Sequence, residues 1–136
     1  MTIFSKIIAG EIPSYAVAEN DRFFAFLDIF PLVEGHVLVV PKVEIDRFFD
    51  LPDDVLSEML VFAAPIARAI EAVFPCNRCG LSVVGLEVPH AHLHLIPIRS
   101  ADDLNFTRKK LAVTPEQLKA AQEKIVRAYA ELAPAI

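Results

Sequence analysis

Three histidines at alternate positions, His90-Ala-His92-Leu-His94, constrain this chain more than any other feature. Alternate residues of an extended strand project from one face, so the three imidazoles would form a row while Ala91, Leu93 and Leu95 turn to the opposite, apolar side. The remaining histidine, His36, opens a second apolar run, His36-Val-Leu-Val-Val40. Imidazole is the side chain best able to change protonation near neutral pH, so this concentration points to chemistry more than to packing.

Size and charge limit the alternatives. With 136 residues, 54% of them hydrophobic, the chain can bury one core, and one domain over residues 1–136 is expected. A net charge of −5 argues against a nucleic-acid backbone or an anionic membrane as the main partner. The apolar runs are too short to span a bilayer, and the stretch Ile3 to Ala9 is broken by Ser5 and Lys6. A soluble cytoplasmic protein is the expectation.

The elements alternate between strand and helix patterns. Ser5 to Gly10 reads as a short helix, and Tyr15–Glu19, Phe23–Asp28 and His36–Val40 read as strands rich in β-branched and aromatic residues. From Pro52 to Phe74 apolar residues recur with helical period behind an acidic first turn, and Pro65 inside that run predicts a kink or a split. Gly80–Gly85 and His92–Ile98 read as further strands. Thr114-Pro-Glu-Gln117 is a capping box that starts a C-terminal helical extension over about 114–132. This order predicts an α+β fold, an antiparallel sheet of about five strands with helices on one face.

Two motifs invite chemistry. Cys76-Asn-Arg-Cys79 follows a helix and leads into a strand, without the second cysteine pair of a structural zinc site or the helix N-terminus that activates a redox dithiol, so it reads as two reduced cysteines in a turn. For the histidine row, three explanations compete: satisfied strand histidines, a metal site built from His90, His92 and His36, or nucleophilic catalysis at phosphorus by the middle imidazole. His90 and His94 would stand roughly 7 Å apart on a strand, too far to share one ion comfortably, whereas the third explanation employs the whole row.

His90-Ala-His92-Leu-His94-Leu95-Ile96 resembles the alternating signature of the histidine triad superfamily, in its Hint-like bacterial branch. The similarity covers about residues 2–98 and includes Thr2 to Pro13, Ala25-Phe-Leu-Asp28-Ile29-Phe-Pro31 and Gly35-His36-Val-Leu-Val-Val-Pro41-Lys42. It implies the family's fold, joined across a two-fold homodimer, and cleavage at the α-phosphorus of a purine nucleotide through a nucleotidyl-histidine, without a cofactor. His92 would be the nucleophile, His94 a donor to a phosphate oxygen, and His90 and His36 the network behind them. Asp28 would accept the ribose hydroxyls, while Ile3, Phe4, Ile7, Ile29 and Leu38 would wall the base. Substrates would be nucleoside phosphoramidates or dinucleoside polyphosphates; a nucleotide-binding regulatory protein with little turnover is the alternative.

The chain departs from the family pattern at three places. Some bacterial relatives bind zinc through two cysteines and a histidine where this chain has Thr2, Ser5 and Glu44, so no metal is expected. Leu86 and Glu87 replace the glutamine and serine ahead of the triad, Cys79 stands at the position of a phosphate-binding asparagine, and Asn77 lies two residues early. Glu87 would sit beside the phosphate, where an ionised carboxylate repels and a protonated one could donate to a leaving group.

Overall fold

The computed structural model describes residues 1–132. Five strands, β1 (Ala16–Glu19), β2 (Phe23–Leu27), β3 (Val37–Pro41), β4 (Arg78–Ser82) and β5 (Leu93–Ile98), form one antiparallel sheet in the order β1-β2-β3-β5-β4. Three helices accompany it, α1 (Ile3–Ile8), α2 (Asp53–Val73) and α3 (Pro115–Leu132). The α+β class and the five-stranded sheet agree with the sequence expectation.

Every residue of β2 and β3 is buried, because the sheet is covered on both faces. Phe23, Ala25, Leu27, Val37, Val39, Leu93 and Leu95 join the main core beneath Met59, Ile66 and Ile70 of α2 and Ile125 of α3. The alternate residues Phe24, Phe26, Leu38 and Val40 face the other way and pack with Phe4 and Ile7 of α1. The expectation of helices on one face is therefore corrected: α2 and α3 cover one face, and the short α1 covers the other. Strand register carries the second face towards the histidines, since Leu38 pairs with Phe26 on one side and His94 on the other.

Three local departures have simple causes. The first helix begins at Ile3, ahead of Ser5, because the Thr2 hydroxyl caps it by accepting the Ser5 N–H at 3.0 Å. The long helix α2 is not split at Pro65; buried residues on both sides of the proline, Phe62, Ala63, Ile66 and Ala69, hold it against the sheet, so tertiary packing outweighs the missing backbone bond. Only His94 of the triad lies within a strand, β5 starting at Leu93, and His90 and His92 precede it in irregular chain.

Gly35 fixes the entry to β3. Its φ is +94°, and a Cβ there would stand 2.7 Å from the Phe74 ring at the end of α2. Only glycine meets both demands. No helix among the described residues is long and apolar enough to cross a membrane.

Candidate active site

His90, His92, His94 and His36 are all buried, at 0%, 6%, 7% and 1% exposure, and each ring has a hydrogen bond that assigns its proton. His92 Nδ1 lies 2.7 Å from the His90 carbonyl oxygen, which can only accept. In the neutral ring the proton is therefore on Nδ1, and Nε2 carries a free lone pair. His36 Nδ1 accepts the Leu32 N–H at 3.1 Å, so its proton is on Nε2 and is donated to His94 Nδ1 at 2.9 Å. His94 must then carry its proton on Nε2. The two neighbouring rings, 5.0 Å apart at their centroids, consequently present opposite functions, a lone pair on His92 and a donor on His94. Neither Nε2 has a protein partner, and among the described residues no buried side-chain nitrogen or oxygen lacks one, so both open onto accessible space.

Burial also keeps His36, His92 and His94 neutral. Desolvation lowers the pKa of His92, and it pushes His36 and His94 down to about 3, helped for His36 by His94, Lys110 and His92 and for His94 by His92 and Lys110. Asp28 moves the opposite way: burial raises its carboxyl to about 6, against the lowering influence of the Phe30 N–H and of Lys110. One Asp28 oxygen accepts that N–H at 2.9 Å, and the other lies 3.6 Å from His36 Nε2, beyond hydrogen-bond length.

His90 is held from behind. Its Nε2 donates to the Pro41 carbonyl at 2.9 Å, so Nδ1 accepts the Thr2 hydroxyl at 2.7 Å. Glu44 in turn accepts the Thr2 N–H and the Ser5 hydroxyl. The residues at positions 2, 5 and 44 thus bond to one another and to His90. They tie the start of α1 to the chain just after β3 and to the triad.

Two cavities meet at this row, and Asp28, Phe30, Glu87, His92 and His94 line both. The first, of about 250 Å³, is apolar and includes Ile3, Phe4, Ile7, Ile29 and Leu38. Ile3 and Ile29 are each half exposed, so these two are not core residues. The second, of about 260 Å³, runs between Val84-Gly85-Leu86 and a segment after β5 that contributes Phe106, Thr107 and Lys110. All the site residues expected from sequence therefore converge except His90, which stands behind the others.

The chemistry of the donors argues against two metal sites, the one weighed from the sequence and one that the fold brings together. His90 has both ring nitrogens engaged, so the set His90, His92 and His36 does not converge. Asp28, His36 and His94 do offer ligand atoms within 4.8 Å of one another. Yet His36 accepts a backbone N–H on Nδ1, and metal ligation by Nε2 would require an imidazole with no proton at all.

A HIT domain model matches residues 9–101. The chain belongs to the HIT domain family. An uncharacterized HIT-like protein of Methanocaldococcus jannaschii is 40% identical over 75% of this chain and 82% of its own length. The adenosine 5'-monophosphoramidase of Saccharomyces cerevisiae is 39% identical over 71% of this chain and 62% of its own length. Among solved structures, a HIT-like protein of Bartonella henselae described as involved in cell-cycle regulation superposes with a TM-score of 0.81, at 30% identity, covering 93% of this chain and 95% of that one.

Within this HIT domain, neither Cys79 nor Asn77 lines the cavities. Cys79 pairs with Pro97 in the sheet, and Asn77 bonds to the backbone of Ile98 and Arg99. Burial, with Glu71 and Cys76 adding to it, pushes the Cys79 thiol up to about 12, opposite to the shift of a reactive thiolate. Cys79 lies within β4 itself, so only Cys76 occupies the expected turn. Phe106, at 4.6 Å from the His94 ring, and Lys110 are site-lining residues that sequence reasoning missed. Their signal was the basic run Arg108-Lys109-Lys110 in an acidic chain.

Proposed function

We propose that the protein is a cytoplasmic nucleotide hydrolase that binds a purine ribonucleotide and cleaves a bond at its α-phosphorus through a nucleotidyl-His92 intermediate. The observation that carries this reading is the pairing of tautomers: backbone carbonyl and amide groups leave His92 Nε2 with a lone pair and His94 Nε2 with a proton, side by side at the junction of two cavities. A neutral nitrogen is the attacking form, and a fixed donor can neutralise charge growing on a phosphate oxygen. Both histidines are neutral at pH 7 without any partner charge to be displaced.

The remaining assignments follow the same geometry. The apolar cavity takes the base between Ile3, Phe4, Ile7, Ile29 and Leu38, and the second Asp28 oxygen accepts from the ribose. His90 orients the nucleophile through its carbonyl, and His36 relays the Leu32 N–H to His94. Nucleoside phosphoramidates and dinucleoside polyphosphates are the two candidate substrate classes, the first supported by the name of the yeast relative. A homodimer joined along the free edge of β4 is consistent with the half-exposed Leu81 there.

A regulatory nucleotide-binding role with little turnover is the second reading, favoured by Leu86 and Glu87 in place of the glutamine and serine expected to contact the phosphate or leaving group. Mass spectrometry under conditions that avoid acid separates the two. Incubation with a labelled adenosine phosphoramidate or diadenosine tetraphosphate, followed by quenching at alkaline pH, should place one nucleotidyl group on His92. Tight binding with no label on His92 from either compound would favour the regulator.

A further inference from the structure

The second cavity holds features that neither the triad nor the HIT domain explains. The wall bearing Phe106 and Lys110 comes after residue 101, where the family match ends. That segment is pinned across the site: Arg108 pairs with Asp102 and Asp103 and donates to the Leu32 carbonyl, and the Leu111 N–H donates to the Pro31 carbonyl at 2.9 Å. Phe106 consequently rests edge-on against both His94 and His36. Lys110 is half-buried and donates one of its three protons to the Phe106 carbonyl at 2.8 Å. The ion pairs of this segment belong to Arg108, which leaves two Lys110 protons for a ligand.

Charge then distinguishes the two cavities. Asp28 and Glu87 line both cavities alike and the histidines are neutral, so the difference in charge between the two is Lys110, the one cation among the described residues lining either of them. Its field reaches Asp28, His36 and His94. We propose that the second cavity is an anion subsite in which Lys110 holds the phosphate chain of the departing group, so that nucleotide anhydrides such as dinucleoside polyphosphates are preferred over phosphoramidates. The inference rests on the His92 mechanism and assigns its leaving-group side. In the first step His92 Nε2 bonds to the α-phosphorus as the P–O bond to the outer phosphate breaks, and the electron pair stays on the departing oxygen. Water then attacks phosphorus, the P–N bond returns its pair to Nε2, and the water proton passes to solvent. A departing phosphate oxygen needs positive charge rather than a proton, and an ammonium supplies that; a departing amine needs a proton and is repelled once it has gained one.

The test compares kcat/KM for diadenosine tetraphosphate and adenosine 5'-phosphoramidate in the wild-type protein, Lys110→Met and Lys110→Arg. Lys110→Met should shift the ratio about 10- to 100-fold against the tetraphosphate, the size of one charge-assisted hydrogen bond, and Lys110→Arg should restore most of it. A ratio within about threefold of wild type in Lys110→Met would overturn the subsite. Should neither substrate label His92, the mechanism fails separately, and the subsite is read by binding: diadenosine tetraphosphate should bind His92→Ala at least tenfold more tightly than His92→Ala/Lys110→Met. Equal affinity would overturn it.

Discussion

Burial lifts the Asp28 carboxyl to about 6, which puts its ionisation inside the range where nucleotide binding is measured. Only the ionised group offers an acceptor to both ribose hydroxyls, so affinity for ribonucleotides should fall as pH drops through about 6. Phosphate ionisation falls in the same range, but it is common to ribonucleotides and their 2'-deoxy counterparts and cancels in the ratio of their affinities. That ratio should decline between pH 7 and pH 5 in the wild-type protein. Asp28→Asn should lower it at pH 7 by roughly 1–3 kcal/mol and remove its pH dependence. Calorimetric titration of both monophosphates across this range checks the point. Unchanged discrimination between the two sugars would take Asp28 out of the ribose site.

The helix α1 couples two parts of the site because Thr2 both caps it and donates to His90. Thr2→Val keeps the shape but removes the cap and leaves a buried ring nitrogen without its donor, a loss of roughly 1–3 kcal/mol in stability. KM should rise with it, since α1 carries Ile3, Phe4 and Ile7, and Thr2→Ser should restore both. Urea denaturation and steady-state kinetics read the two effects; a destabilised Thr2→Val with unchanged KM would sever the link between cap and base cavity. This bond also marks what a sequence can and cannot disclose. The triad was legible because its alternation is local in sequence, and Asp28 and His36 because each stands beside a strand pattern in a segment that resembles the family's. The links from Thr2 and Ser5 to Glu44 and His90 join residues 39 to 88 positions apart, and no periodicity encodes them. Lys110 sits in irregular chain between Leu104 and Pro115, where neither helical nor strand spacing applies. Its position depends on Arg108 and Leu111 grasping the backbone of Leu32 and Pro31, which only the folded chain brings near.

For the whole molecule, the buried histidines and Asp28 set opposing trends with pH. His36 and His94 take up protons near 6.5 when unfolded but only near 3 when folded, so the unfolded state binds more protons between these values and stability falls as pH falls. Asp28 acts in reverse, because the folded chain holds its proton up to about 6 while the unfolded chain releases it near 3.8. Between about pH 4 and 6 the two histidines outnumber the one carboxyl, leaving these three groups a net excess of about one proton in the unfolded state, and His92, which burial also lowers, adds in the same direction. The stability to unfolding should therefore drop by at least about 1.4 kcal/mol per pH unit as the pH is lowered through this window. Asp28→Asn removes the opposing group, and the slope should reach at least about twice that value even though the variant has lost a carboxylate. Urea midpoints at pH 4.5, 5.5 and 6.5 for both proteins measure the slopes. Equal slopes would mean that Asp28 titrates alike in the folded and unfolded chains, and a flat profile in both would show that the histidine cluster accepts protons without opening the fold.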